Sequence, residues 1–86
     1  MATLNVSVVA ADHEVWSGDA EMVVARTVEG QIGILAGHEP MLAILAGGEV
    51  RITLPGGEKL TADADGGFLS VDGDMVQIVA SQAQLV

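Results

Sequence analysis

The sequence predicts an all-β fold, a sandwich or barrel of many short strands, and three observations carry that prediction. Apolar and polar residues alternate over short runs, as in Leu4, Val6 and Val8 with Asn5 and Ser7 between them. Eleven glycines punctuate these runs, where they serve as turns. Half of the residues are hydrophobic, yet Trp16 and Phe68 are the only aromatic side chains. Burial must therefore come from aliphatic side chains in thin layers, which suits stacked sheets better than a deep ligand cavity. At 86 residues the chain is expected to form one domain, residues 1–86, with a modest core, because a domain this small buries only about 60–65% of its unfolded surface.

The elements follow in order. Leu4, Val6 and Val8 share one face of a first strand, since side chains alternate across a strand with period two. Asp12-His13-Glu14 reads as a solvated turn leading to Val15-Trp16. Met22 to Val28 is apolar at nearly every position and reads as a strand covered on both sides, with a short buried helix as the alternative that periodicity leaves open. Val50, Ile52 and Leu54 alternate with Arg51 and Thr53; Pro55-Gly56-Gly57-Glu58 then reverses the chain into Leu60, Ala62 and Ala64. That hairpin is the clearest in the sequence. A second joins Phe68-Leu69-Ser70-Val71 to Met75 through Ala80 across Asp72-Gly73-Asp74, whose glycine can take positive φ. Met41 to Ala46 is too short for a stable helix, leaving a single turn or an edge strand.

Charge narrows the partners. Three Lys and Arg against twelve Asp and Glu give a net of −9, which repels phosphate backbones and anionic lipid. No nucleic acid is expected. The absence of cysteine removes disulfides and thiolate metal sites and fits a reducing compartment. Met1-Ala2-Thr3-Leu4 lacks the basic and apolar regions of a secretory signal, and the longest aliphatic run, Met41 to Ala46, is far below the ~20 residues of a membrane span. No direct membrane insertion is expected.

Catalytic and metal chemistry find no constellation. His13 and His38 are the only histidines and sit in different predicted turns without ligands at metal spacing. Ser7, Ser17, Ser70 and Ser81 stand in no nucleophile-elbow context. The glycine pairs are followed by no Lys-Ser/Thr and make no phosphate loop. Asp63 and Asp65 share one strand face, where they read as edge charges that discourage aggregation. No catalytic residue, metal or cofactor is expected. Lys59, the only lysine, lies beside a tight turn in an acidic β domain, a setting similar to that of biotinyl and lipoyl carrier domains, although Glu58 and Leu60 do not match the flanks of those families. A carrier modified at Lys59 is the alternative reading.

The segment Gly30-Gln31-Ile32-Gly33-Ile34-Leu35-Ala36-Gly37-His38-Glu39-Pro40-Met41-Leu42-Ala43-Ile44-Leu45 sets a Gly-His-Glu-Pro insert between two aliphatic runs. A thin core can hardly take all of Met41, Leu42, Ile44 and Leu45, and burial of all four is the alternative that the unknown strand register leaves open. Each large aliphatic left in water forgoes ~1.5–3 kcal/mol, so exposed members of the set would mark a partner surface.

This segment resembles the signature of the ε subunit of F-type ATP synthases, in which Gly-Glu-(Ile/Leu)-Gly-Ile-Leu-Pro-Gly-His-x-Pro-Leu-Leu is typical. Val15-Trp16-Ser17-Gly18 upstream and Gly66-Gly67-Phe68-Leu69-Ser70-Val71 and Val76-Gln77-Ile78-Val79-Ala80 downstream agree in order, across nearly the whole chain. The resemblance implies a β-sandwich of two five-stranded sheets, about ten short strands, and a non-catalytic role in the central stalk rotor, coupling proton transport to ATP synthesis. It implies that His38, Met41 and Leu42 face the γ subunit and that Glu29, Gly30, Gln31 and Ile32 face the polar loops of the c ring. A peripheral position on the cytoplasmic face of the cell membrane, or the equivalent stromal face, goes with it. Pro40 would stiffen the rim by fixing its own φ and holding Glu39 extended. Gln31 stands where Glu is usual, which leaves a hydrogen bond in place of a charged contact, and Ala36 stands where Pro is common. Family members continue into a helical pair that brakes ATP hydrolysis and in some binds ATP. The sequence ends at Val86, so neither brake nor nucleotide binding is expected of it.

Overall fold

The computed structural model describes residues 3–86, and every element in it is a strand. The reading of the N-terminal start rests partly on Met1 and Ala2, which lie outside the described residues. The strands are β1 (Leu4–Val9), β2 (Glu14–Ala20), β3 (Met22–Thr27), β4 (Gly30–Leu35), β5 (Met41–Ile44), β6 (Gly48–Thr53), β7 (Lys59–Asp72) and β8 (Met75–Leu85). Hydrogen bonds link them in the order β2-β1-β8-β7-β6-β3-β4, with β5 also on β7. All pairs are antiparallel except β1 with β8.

Eight continuous strands replace the expected ten because the two longest serve both layers. The register of β7 with β8 steps from Asp65↔Gln82 to Gly67↔Ala80, passing over Gly66 and Ser81. Beyond that step β8 pairs with β1, and β5 pairs with β7, only on the side of Phe68 to Asp72 and Met75 to Val79; before it, β6 pairs only with Lys59 to Ala64. The hairpin therefore folds at the step, giving one layer of β2, β1, β5 and the near halves of β8 and β7, called sheet I. The other halves with β6, β3 and β4 make sheet II. Overall extents of 32 × 24 × 19 Å accord with two sheets about 10 Å apart.

The bend is possible because of glycine. Gly66 takes φ +70°, and a Cβ on Gly67 would fall 1.7 Å from the Val79 carbonyl oxygen. The Ser81 hydroxyl donates to the Asp65 carbonyl at 2.9 Å and braces the corner. At the far end of the hairpin Asp72 pairs with Met75, and Gly73 occupies the first central position at φ +61°, where a type II′ turn calls for glycine.

Both layers feed one core. Leu4, Val8, Leu69 and Ile78 from sheet I meet Val23, Ile34 and Ile52 from sheet II, each fully buried. Alternation is as the sequence predicts: Val6, Val50, Ala62 and Val76 point inward too. The seam beside β5 is closed by backbone bonds from Leu45 N to Gly67 O, Ala46 N to Arg26 O and Val28 N to Ile44 O, at 3.0, 3.0 and 2.9 Å. Trp16 lies over Gly18, where any Cβ would meet its ring at 2.9 Å.

Two expectations are corrected. Met22 to Val28 is not covered on both sides: Val23, Ala25 and Thr27 are buried, Met22 and Val24 are half-buried, and Arg26 is exposed. No further layer covers the outer face of sheet II among the described residues, so its neighbours alone shield Met22 and Val24. Asp63 and Asp65 are not on an edge, because β7 lies between β6 and β8; they project from the outer face of an interior strand. Met41 to Ala46 resolves as the strand alternative, and both predicted hairpins form at Asp72 to Asp74 and Pro55 to Glu58.

Gly67→Ala should be among the most damaging single-methyl changes in this chain. The added carbon meets backbone, which cannot rotate away, so a loss of about 3 kcal/mol is expected, read as a lower urea midpoint. Gly33→Ala, where a Cβ meets nothing within 4 Å, should move the midpoint far less.

Candidate functional site

Directly paired residues of neighbouring strands share a face, and this rule builds the outer surface of sheet I. Ile44 pairs with Phe68, Phe68 with Val79, and Val79 with Val9. The result is one apolar row across four strands. The next row runs Leu42, Ser70, Gln77, Ser7 and Ser17, polar except at its first member. A third holds Asp72, Met75, Asn5 and Asp19. Leu42 is 72% exposed, Ile44 61% and Phe68 40%, while Val79 and Val9 are half-buried. Val28, 64% exposed, adjoins the row through its bond to Ile44.

The four aliphatics after Pro40 thus divide by strand alternation. Leu42 and Ile44 face water; Met41, opposite the buried Val71, is turned inward and half-buried; Leu45 is buried. Met41 supports the face and does not form it.

The remaining predicted residues lie at both ends of β5. Val28 and Glu29 form the exposed tip of the β3–β4 hairpin, closed by the pair of Thr27 with Gly30, which opens β4 at φ +124°. Gln31 is exposed opposite Arg26 on the outside of sheet II, whereas Ile32 leans inward and is half-buried. Thr27 through Ile32 and Met41 through Ile44 line a single groove. The structure therefore brings Met41 and Leu42 together with Glu29, Gly30, Gln31 and Ile32, which the sequence assigned to separate contacts. His38 is apart from that groove, half-buried in the loop before β5. Its Nδ1 donates to the Glu39 carbonyl at 2.7 Å, which leaves Nε2 as the acceptor nitrogen. The loop is tied down by Gly37, whose N–H donates to Asp74 Oδ1 at 2.9 Å.

Phe68, Val79, Val9 and Val28 belong to the surface, and no local pattern groups them with Ile44. Only the pairings of β5 with β7 and of β1 with β8, both long-range, bring them beside Ile44. The signal available in the sequence was that Phe68 and Val79 fall on the opposite parity to the core residues Leu69, Val71, Val76 and Ile78.

Charge is segregated between the faces. Arg26, Arg51 and Lys59, all the cations of the chain, lie on the outer side of sheet II, where Arg51 Nε reaches Glu49 Oε2 at 3.5 Å. The outer face of sheet I carries none. Elsewhere, the Asp12 carboxyl is held below the usual carboxylate range by its hydrogen bond with and the charge of His13, whose Nδ1 is 2.6 Å away. The pair is solvent-exposed, as the expected turn requires. Among the described residues no three His, Asp or Glu side chains are grouped as a metal would need. Lys59 opens β7 opposite Thr53 and does not stand at the tip of its turn, unlike the lysine of a carrier domain.

Comparison with known proteins bears on this geometry. The family model described as ATP synthase, Delta/Epsilon chain, beta-sandwich domain matches residues 3–86. The chain is 54% identical over 85 residues to the ATP synthase epsilon chain of Micrococcus luteus, covering 99% of this chain and 93% of that one. With the ATP synthase epsilon chain of Frankia casuarinae it is 51% identical over 83 residues, covering 95% and 96%. A chain in the cryo-EM structure of the Euglena gracilis mitochondrial ATP synthase, OSCP/F1/c-ring, superimposes with a TM-score of 0.92 at 29% identity. The match covers 99% of this chain but only 54% of the Euglena one. A chain of the Tetrahymena thermophila mitochondrial ATP synthase central stalk and c-ring shares the fold at a TM-score of 0.75 and 17% identity, and this chain spans 66% of it. With sequence, fold and the order of its motifs in agreement over residues 3–86, the chain belongs to the ATP synthase delta/epsilon chain family.

Proposed function

We propose that this chain is a non-catalytic rotor component of an F-type ATP synthase, docking the γ subunit to the c ring so that proton transport stays coupled to ATP synthesis. The observation that carries the reading is the apolar row Ile44, Phe68, Val79 and Val9, flanked by Leu42 and Val28, on the outside of a closed sandwich. An 8.8 kDa chain with a thin core leaves these groups in water, at ~1.5–3 kcal/mol for each large one, where a partner would cover them.

In this reading γ takes the outer face of sheet I. Leu42, Ile44 and Phe68 make the apolar contact, Met41 supports it from below, and His38 offers Nε2 at its edge. Glu29 at the hairpin tip, with Gly30 and Gln31 at the start of β4, meets the polar loops of the ring, and Ile32 anchors that tip to the core. Gln31 contributes a hydrogen bond and Glu29 the nearest negative charge. The chain is peripheral on the cytoplasmic face of the cell membrane, or the equivalent stromal face. In the described residues no helix is long and apolar enough to cross a membrane. No nucleotide is assigned to it.

Native mass spectrometry of the chain mixed with purified γ tests the assembly, and a stable one-to-one complex is expected; its repeated absence would sink the reading. Ile44→Asp places a charge in the middle of the apolar row at an exposed position. It should weaken association with γ by roughly thirty-fold, as loss of a hot spot of about 2 kcal/mol would, with the thermal midpoint within a few degrees of the parent. Unchanged affinity would remove sheet I from the interface. The net charge of −9 should also make the association rate depend on salt if the surface on γ is basic. Stopped-flow mixing should then show a several-fold fall between about 0.01 and 0.15 M ionic strength.

A further inference from the structure

Thr27 is the one buried polar side chain among the described residues, 7% exposed. It sits inward on β3 in line with Val23 and Ala25, where a valine of the same shape would fill the space equally well. Its hydroxyl is accounted for by the turn beyond it. Oγ1 donates to the Gly30 carbonyl at 2.8 Å and accepts the Glu29 N–H at 3.2 Å. The backbone of the same residue bridges Leu45, and its neighbour Val28 donates to Ile44. One residue thus holds both the Val28–Glu29 tip and the end of β5. The tip needs such a hold, because Gly30, which follows it at φ +124°, is in a region that glycine enters and leaves without steric penalty.

We propose that Thr27 is the positioning residue of the docking surface: its hydroxyl fixes the height and direction of the Val28–Glu29 tip relative to Leu42 and Ile44, so that the two contact regions present as one rigid body. This rests on the stalk-docking reading above. Thr27 touches no partner itself and acts through the turn.

Thr27→Val keeps the shape and removes both hydrogen bonds; Thr27→Ser keeps the hydroxyl. Amide hydrogen exchange at Glu29 in the free chain reads the turn, and affinity for a detergent-solubilised complex of γ with the c ring reads the docking. Thr27→Val should speed exchange at Glu29 roughly tenfold and weaken affinity about tenfold, and Thr27→Ser should restore both. Ile52→Val, a core truncation in sheet II, should lower the thermal midpoint yet leave affinity as it was, which separates positioning from stability. Equal affinity for parent and Thr27→Val, with the turn loosened, would overturn the proposal. So would an unchanged exchange rate at Glu29. A further measurement needs no variant: in the parent chain the Glu29 amide should exchange at least about tenfold more slowly than the amide of Gly56 in the exposed Pro55 to Gly57 turn, and equal rates would also overturn it. If no form of the chain binds the complex, the stalk reading falls and this role falls with it.

Discussion

The close approach of Gly67 to the Val79 carbonyl is the contact on which the rest of the molecule depends. A straight strand of fourteen residues, the length of β7, would run about 46 Å at 3.3 Å per residue, well beyond the 32 Å longest dimension of the chain. The strand must fold over, and β8 must fold with it to keep its hydrogen bonds. Only a residue without Cβ lets the two backbones come so near. Because the bend lies inside a continuous hairpin, both layers inherit one register. That register aligns Ile44, Phe68, Val79 and Val9 in a row, so the surface follows from the corner.

A small sandwich has little stability to spare. Domains of this class hold about 5–15 kcal/mol in all, and exposed Leu42 and Ile44 each decline a contribution of ~1.5–3 kcal/mol that burial would bring. Such side chains on a monomer would also invite self-association. The excess of nine negative charges opposes that between copies, because Asp19 and Asp72 lie at the polar end of the same face and Glu14 pairs with Val9 at the end of its apolar row, where each would meet negative charge in a symmetric dimer. Confinement of Arg26, Arg51 and Lys59 to the opposite face leaves no cation to relieve the repulsion. A partner with basic groups around an apolar centre meets neither obstacle.

Local chemistry was legible in the sequence. Alternation in Val50 to Leu54 and Leu60 to Ala64, with a turn of Pro and two Gly between, can be satisfied only by a hairpin, and it is. The positive φ of Gly73 follows from its place in Asp72-Gly73-Asp74. Which face of β5 meets water was not legible, because in a four-residue strand a shift of one exchanges Met41 for Leu42, and only pairing with the distant β7 decides it. The same limit hid Phe68 and Val9 from the surface. Met22 to Val28 misled for a related reason: an apolar run looks alike whether a second layer or merely neighbouring side chains cover its outer side. Asp63 and Asp65 were read as edge charges since nothing local reveals that β7 is interior. The ε-subunit likeness reached the two-sheet architecture that period alone left as sandwich or barrel; that the residues it assigned to two partners line one groove follows only from the pairing of β3 with β4 and the bond of Val28 to Ile44.

The shortness of β5 is itself part of how the surface works. Four residues pairing with β7 on one side make a weak ladder, and an isolated strand of that length would fray. It is held instead at its ends. Before it, the Gly37 N–H is taken by the Asp74 carboxylate from the tip of the β7–β8 hairpin. After it, Leu45 and Ala46 donate to Gly67 and Arg26, one from each layer. A strand fixed at both ends to different parts of the sandwich cannot tilt without moving the layers against each other, and a close-packed core resists that. Leu42 and Ile44 therefore ride on the stiffness of the whole domain although they stand on its slightest strand, and a load applied at them passes through the Gly67 corner into both sheets.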